Sequence, residues 1–149
     1  MRTITTLGTV MVLATLVAVS AVPAQNPLAN ARRQLETAIF HSGELAQRGA
    51  VVAASKTHLQ HTLNCLDGSQ GPNFNAAAGD VCRGQGNGII PDLRAAEAAG
   101  VRGASTALRF VNIARTLILQ ALQSDDLNMV QPYAKVISNQ LKQALAALP

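Results

Sequence analysis

The sequence predicts an all-α protein, a four-helix bundle built from two antiparallel helical hairpins with a long disulfide-pinned loop between helices two and three. Apolar residues recur at the spacing of a helix face in four segments after residue 25. Aromatic residues are scarce, with three Phe, one Tyr and no Trp. A core of Ala, Leu, Val and Ile suits closely packed helices, and a glycine-rich segment separates the first helical pair from the second.

The first 24 residues read as a signal peptide. Arg2 provides a positive charge, the run from Leu7 to Val19 is almost wholly apolar, and small residues lead to a predicted cleavage before Gln25. This run is too short to span a bilayer, and no later segment stays apolar for the roughly 18 residues that a span needs. We therefore expect residues 25–149 to form a single periplasmic or secreted domain without stable membrane insertion.

The first hairpin begins at Asn26 and Pro27, a capping residue followed by a proline at the first helical position. The first helix should end at Gly49, and the second should follow at once and end at Asp67 and Gly68. So short a link predicts an antiparallel pair. The expected apolar stripe is Leu28, Leu35, Ile39 and Ser42 or Ala46 in the first helix, and Val52, Leu59, Leu63 and Leu66 in the second.

Residues 67–91 form the predicted connecting loop, which holds six of the eleven glycines, two prolines and three asparagines. Cys65 and Cys82 are the chain's two cysteines, and in an exported protein such a pair is expected to form a disulfide. This bond would stabilise the fold by about 3 kcal/mol in the chain-entropy model. It would also fold the loop against the second helix, with Phe74 or Val81 as apolar cover.

The second hairpin begins near Asp92 with a helical region that continues to about Gln123. Gly100 and Gly103 weaken its first part and predict a bend or a break there. A turn at residues 124–126 precedes the last helix. The apolar positions are Leu108, Val111, Leu117 or Leu119, and Leu122 in the third region, and Val130, Ile137, Leu141, Leu145 and Leu148 in the last.

Charge and motifs exclude several functions. Without Arg2, eleven basic side chains stand against eight acidic ones and are scattered along the chain, so no basic patch predicts nucleic-acid binding. The sequence has no C-x-x-C-H, H-E-x-x-H or G-x-S-x-G motif and no Walker loop. We therefore predict a binding protein rather than an enzyme.

The three histidines are the candidate ligands. His58 and His61 lie one turn apart on one helix face, a spacing that lets two imidazoles approach one ion. His41 lies about as far before the predicted turn as His58 lies after it, so the two should be at nearly the same height. Glu44, one turn from His41, would add an oxygen ligand. Periodicity leaves open whether the flanks that carry these side chains face each other, and the alternative is that the histidines are ordinary solvated side chains.

The stretch from Leu35 to Asn64 resembles the hairpin of the small metal-binding protein family, exported four-helix bundles that contain histidines. The matching pieces are "AIFHSGEL", Gly49 and "HLQH". The resemblance implies that His41, His58 and His61 bind a divalent ion such as copper. The second hairpin lacks histidine and the cysteine-closed loop is extra, which predicts one defined site rather than a high-capacity buffer.

Imidazole ligands and the general affinity order of divalent metals favour Cu(II), with Zn(II) or Ni(II) as alternatives. Two further hypotheses stay open at this point. One is non-covalent haem binding between the helices, with two histidines as axial ligands. The other is a structural or protein-interaction module of the envelope, in which the histidines are incidental.

Overall fold

The computed structural model describes residues 26–149, which are all-helical, without a β-strand. The predicted signal peptide, residues 1–24, lies outside the described residues. The first helix, α1, comprises Pro27–Phe40, a π-helical turn at His41–Leu45 and a last turn at Ala46–Arg48. The others are α2 (Val52–Asp67), α3 (Ile89–Ala98), α4 (Ala104–Ala121) and α5 (Leu127–Ala146). Within the described range the helices number five rather than the predicted four.

The extra helix results from a break in the predicted third region. Gly100 and Gly103 have φ values of +75° and +85°, a backbone conformation that no helix contains and that glycine adopts at little cost. Sequence reasoning expected a bend or break at these two residues, and the structure confirms a complete break between α3 and α4. The first of the two helices also begins at Ile89, three residues before the predicted start at Asp92.

The predicted starts of the first and the last helix are confirmed. The Asn26 side chain accepts a hydrogen bond from the Ala29 amide at 3.1 Å, with Pro27 at the first helical position. The Asp126 side chain caps α5 in the same way through the Asn128 amide at 2.9 Å. Each carboxylate or amide oxygen satisfies an amide group that the first turn leaves without a partner.

The core is made almost entirely of aliphatic and alanine side chains, as the composition predicts. α4 and α5 form one closely packed pair, and α1 contacts α2, α3 and α5. Alanine at the helix contacts lets the backbones approach closely, and leucine and isoleucine fill the space between them. The largest fully buried apolar side chains are Leu35, Leu59, Leu63, Leu66, Ile89, Leu93, Ile118, Ile137 and Leu141.

A 21-residue loop, residues 68–88, joins α2 to α3 and contains a short 3-10 helix at Ala76–Ala78. Its two ends touch, because Gly68 and Gly88 approach so closely that a Cβ on Gly88 would lie 2.8 Å from the Gly68 Cα. The predicted Cys65–Cys82 disulfide is present, with the two Cα atoms 5.4 Å apart. The loop is therefore closed at its base and tied to α2 by a covalent bond.

No helix within residues 26–149 has the length and apolar character needed to cross a membrane.

Candidate metal centre

The three histidines converge between α1 and α2. The ring centroids of His41 and His61 are 5.0 Å apart, those of His58 and His61 5.5 Å, and those of His41 and His58 5.7 Å. One nitrogen from each ring lies within 4.8 Å of the others. The two helix flanks that carry the histidines therefore face each other, which periodicity alone left open.

His41 lies at the first position of the π-helical turn His41–Leu45. Its backbone bond runs from the Ala46 amide to the His41 carbonyl, five residues apart, instead of the four of an α-helix. Gly43 in this turn lies against Ser138 of α5, where a Cβ would come within 2.9 Å of the serine hydroxyl. A larger residue at position 43 would push the turn away from α5. Ser42 is fully buried, and its hydroxyl donates to the Ala38 carbonyl at 2.8 Å.

The closest approach of two ligand atoms is that of His41 Nδ1 and His61 Nδ1, 3.3 Å apart. Two nitrogens bound to one ion at roughly 2.0–2.1 Å with tetrahedral angles lie roughly 3.3 Å apart. The pair is thus already at the separation that a shared tetrahedral ion requires. The three imidazoles form a cluster that could hold a metal ion.

The His61 ring is oriented by the connecting loop. Its Nε2 lies 2.5 Å from the Ala78 carbonyl oxygen. A carbonyl only accepts hydrogen bonds, so Nε2 carries the hydrogen and the lone pair of the neutral ring resides on Nδ1. Metal-binding histidines commonly donate their second N–H in this way, which fixes the tautomer and the ring orientation.

Asn64, one turn after His61 on α2, holds the loop in position for that contact. Its amide group donates to the Asn75 carbonyl at 2.8 Å and to the Gly79 carbonyl at 2.7 Å. Its oxygen accepts from the Asn75 amide at 2.9 Å and from the Gln60 side chain at 3.0 Å. Asn64 is only 1% exposed, so its own polar atoms depend on these bonds, which fix the segment that contains Ala78.

Backbone atoms of the connecting loop lie beside the histidines. The loop reaches the histidines through Ala78 and Gly79, while Val81, one of the two predicted covering residues, packs against the hydrophobic core. Gly79 has a φ of +101°, and a Cβ at this position would lie 3.5 Å from His61 Nε2. The loop therefore contacts the site through the Ala78 carbonyl, and apolar cover by Phe74 or Val81 stays a prediction.

The surroundings of His41 and His58 favour the neutral forms of these two rings. The pKa of His41 is lowered to about 4, first by burial and then by the neighbouring His61 and His58. Burial, and next His61, also lower the pKa of His58. His58 Nδ1 is buried without a hydrogen-bond partner among the described residues. Neutral rings offer lone pairs to a metal ion, and a bound ion repays the cost of burying an unpaired nitrogen.

The two remaining candidates have other partners. Glu44 forms an ion pair with Arg48 at 2.9 Å, and both side chains are largely exposed. It does not belong to the group of ligand atoms that converge within 4.8 Å among the described residues. Cys65 is bonded to Cys82 and so offers no thiolate to a metal.

Comparisons of the chain with protein-family models, with curated proteins and with solved structures found no match. The resemblance of Leu35–Asn64 to the small metal-binding protein family thus stays a prediction.

Sequence reasoning identified all three converging histidines but missed Asn64 and Ala78, which orient His61. Asn64 did give a signal, because it is a polar residue one turn after His61 on the helix that carries the ligands. Ala78 gave none, since its contribution is a backbone carbonyl whose position depends on the fold of the loop.

Proposed function

We propose that this protein is an extracytoplasmic metal-binding protein that holds one transition-metal ion, with Cu(II) favoured, through His41, His58 and His61. The observation that carries the proposal is the convergence of three imidazoles from two helices, with two of their nitrogens 3.3 Å apart. The rings are also half-buried, and the Ala78 carbonyl fixes the His61 ring, so binding would cost little reorganisation of the protein.

The choice of ion rests on the ligand atoms. All three are imidazole nitrogens, and the disulfide removes the thiolates that favour Cu(I) and iron–sulfur clusters. Among divalent ions, nitrogen sites bind copper most tightly, so Cu(II) should displace Zn(II) and Ni(II). Three protein ligands leave a fourth coordination position for water or another small ligand.

A single ion fits the site better than haem. Two axial histidines must lie on opposite faces of a macrocycle, whereas His41 and His61 touch through their Nδ1 atoms. The macrocycle would have to separate the α1 and α2 flanks, which are packed together and linked by a turn of three residues, 49–51.

The proposed location is supported by the disulfide. Such bonds persist in the oxidising compartments outside the cytoplasm and are rare within it. The Cys65–Cys82 bond thus agrees with a periplasmic or secreted protein.

Isothermal titration of the purified protein with Cu(II) at neutral pH, in the presence of a weak competing chelator, tests the proposal. We expect one ion per chain and nitrogen hyperfine structure from three imidazoles in the electron paramagnetic resonance spectrum. Loss of a hydrogen bond that supports a metal-binding residue costs roughly 10- to 100-fold in metal affinity. Replacing any one histidine by alanine removes a ligand itself and should weaken binding by more than that.

Thr57→Ala, an exposed change on the same helix, is the matched control and should bind as the wild type does. Absence of stoichiometric binding, or unchanged affinity in the triple His→Ala variant, would refute the metal site. Either result would leave the envelope interaction module as the function to pursue.

A further inference from the structure

A second feature lies away from the histidines, a cleft between the connecting loop, the start of α3 and the middle of α4. Its volume is about 480 Å³, within the roughly 300–1,000 Å³ that is usual for small-molecule sites. The proposed metal site uses none of the residues that line it. The cleft is therefore separate from the proposed metal site.

One wall is fixed by Asp67 at the end of α2. Its carboxylate accepts from Arg115 Nε at 2.6 Å and Nη2 at 3.1 Å, and from the backbone and side-chain nitrogens of Asn73 at 3.3 and 2.7 Å. The Asp67 side chain is only 2% exposed. Its charge is thus compensated by Arg115, and the loop beside it is held in place.

The opposite wall is fixed by a second buried carboxylate, that of Asp92, which is 2% exposed. It accepts from the Asn87 amide at 3.0 Å, from the Asn87 side chain at 3.1 Å and from the Gln34 side chain at 2.7 Å. These bonds fix the chain where it enters α3. The cleft is therefore formed before any ligand arrives, which lowers the cost of binding.

Arg94 gives the cleft an uncompensated positive charge. It lines the cleft and is exposed, and no hydrogen bond or ion pair joins it to any other described residue. Asp67, Arg94 and Arg115 are the charged residues of the lining, so the sum is one positive charge. Pro72, Ile90 and Pro91 add an apolar surface.

We propose that this cleft binds a small organic anion, a compact apolar body that carries one carboxylate or phosphate group. Arg94 pairs with the anionic group, because a guanidinium binds both groups through two parallel hydrogen bonds. Asn112, one turn before Arg115 on α4, lines the cleft and can donate a further hydrogen bond. The prolines contact the apolar body.

The test is a nuclear magnetic resonance titration of the ¹⁵N-labelled protein with benzoate, phenyl phosphate and the neutral benzamide at low salt. We expect saturable shifts of the amides around the cleft with one or both anions and much weaker binding of benzamide. The comparison of benzoate with phenyl phosphate identifies which anionic group the cleft prefers.

Arg94→Gln is the decisive variant, since it removes the charge from an exposed helix position and leaves both buried carboxylates paired. It should weaken anion binding roughly tenfold, the loss expected for a hydrogen bond to a charged group. Arg102→Gln, an exposed arginine outside the cleft, should leave binding unchanged. The proposal is overturned if neither anion binds, if benzamide binds equally well, or if Arg94→Gln and Arg102→Gln behave alike.

Discussion

Replacing Asn64 by alanine separates the contribution of the loop from that of the histidines. The change removes a buried side chain that makes four hydrogen bonds of 2.7–3.0 Å, three of them to the backbone of the loop. At roughly 0.5–1.5 kcal/mol for each bond, the sum is roughly 2–6 kcal/mol. Asn75 is exposed, so water can replace part of its lost bonds, and we expect a loss of about 2–3 kcal/mol in the free energy of unfolding.

The same change should weaken metal binding, because the Ala78 carbonyl would no longer be held against His61 Nε2. Loss of such an outer contact costs roughly 10- to 100-fold in metal affinity. Denaturant unfolding followed by circular dichroism gives the stability, and Cu(II) titration gives the affinity. Both values are measured on the same preparation.

Asn139→Ala is the matched control, an identical chemical change at an exposed position of α5. Asn64→Asp adds a second test, since it would place carboxylate oxygens opposite the Asn75 and Gly79 carbonyls and should destabilise more than alanine does. If Asn64→Ala is as stable as Asn139→Ala and binds Cu(II) as the wild type does, the role assigned to the loop is wrong.

Three further results are expected. Cys82→Ser should lower the free energy of unfolding by about 2–5 kcal/mol and weaken Cu(II) binding, and thiol titration of the denatured, unreduced wild type should find no free thiol. Without metal, stability should fall as the pH falls from about 6.5 towards 4, because the unfolded chain protonates a histidine at position 41 that the folded protein keeps neutral. After discounting for the partial exposure of His41, we expect His41 to contribute about 1–2 kcal/mol to this loss, and a smaller loss to remain in His41→Gln because the pKa of His58 is lowered as well. Cu(II) at about 100 times its dissociation constant should raise the free energy of unfolding by about 2.7 kcal/mol at neutral pH, and the failure of this increase would argue against a site in the folded state.

The depressed pKa values also change the expected pH dependence of metal binding. Unperturbed histidines would lose metal to protons below about pH 6.5. Burial, together with the neighbouring histidines, lowers the pKa of His41 to about 4 and lowers that of His58 as well, so protons should compete at these two rings only at lower pH.

The structural features that depend only on residues close together in the sequence could be predicted from it. Asn26 with Pro27 determines where α1 begins, and Gly100 with Gly103 breaks the third helical region, because each effect is a local backbone preference. The disulfide was predicted from the count of two cysteines in a chain that we expected to be exported. The described helices number five rather than the predicted four, because the bend or break expected at these glycines is a complete break.

The orientation of the histidines depends on contacts that are distant in sequence. The π-helical turn alters the angular position of every residue that follows it, and it forms where Gly43 meets Ser138 of α5, 95 residues along the chain. No periodicity within α1 contains that information. The sequence therefore placed His41 and His58 at one height without determining that they face each other.

The hydrogen bond between His61 Nε2 and the Ala78 carbonyl connects the site to the loop. The loop is held by a covalent bond from Cys65 to Cys82, by the Asn64 side chain and by the close approach of its two ends at Gly68 and Gly88. Cys65 and Asn64 both lie within one turn or so of His61 on the same helix, so the ligand and its support are parts of one rigid unit. A histidine pair on an isolated helix would have neither a fixed tautomer nor a third imidazole at 3.3 Å. The long glycine-rich loop thus holds one backbone carbonyl, that of Ala78, at a fixed position beside the candidate ligands.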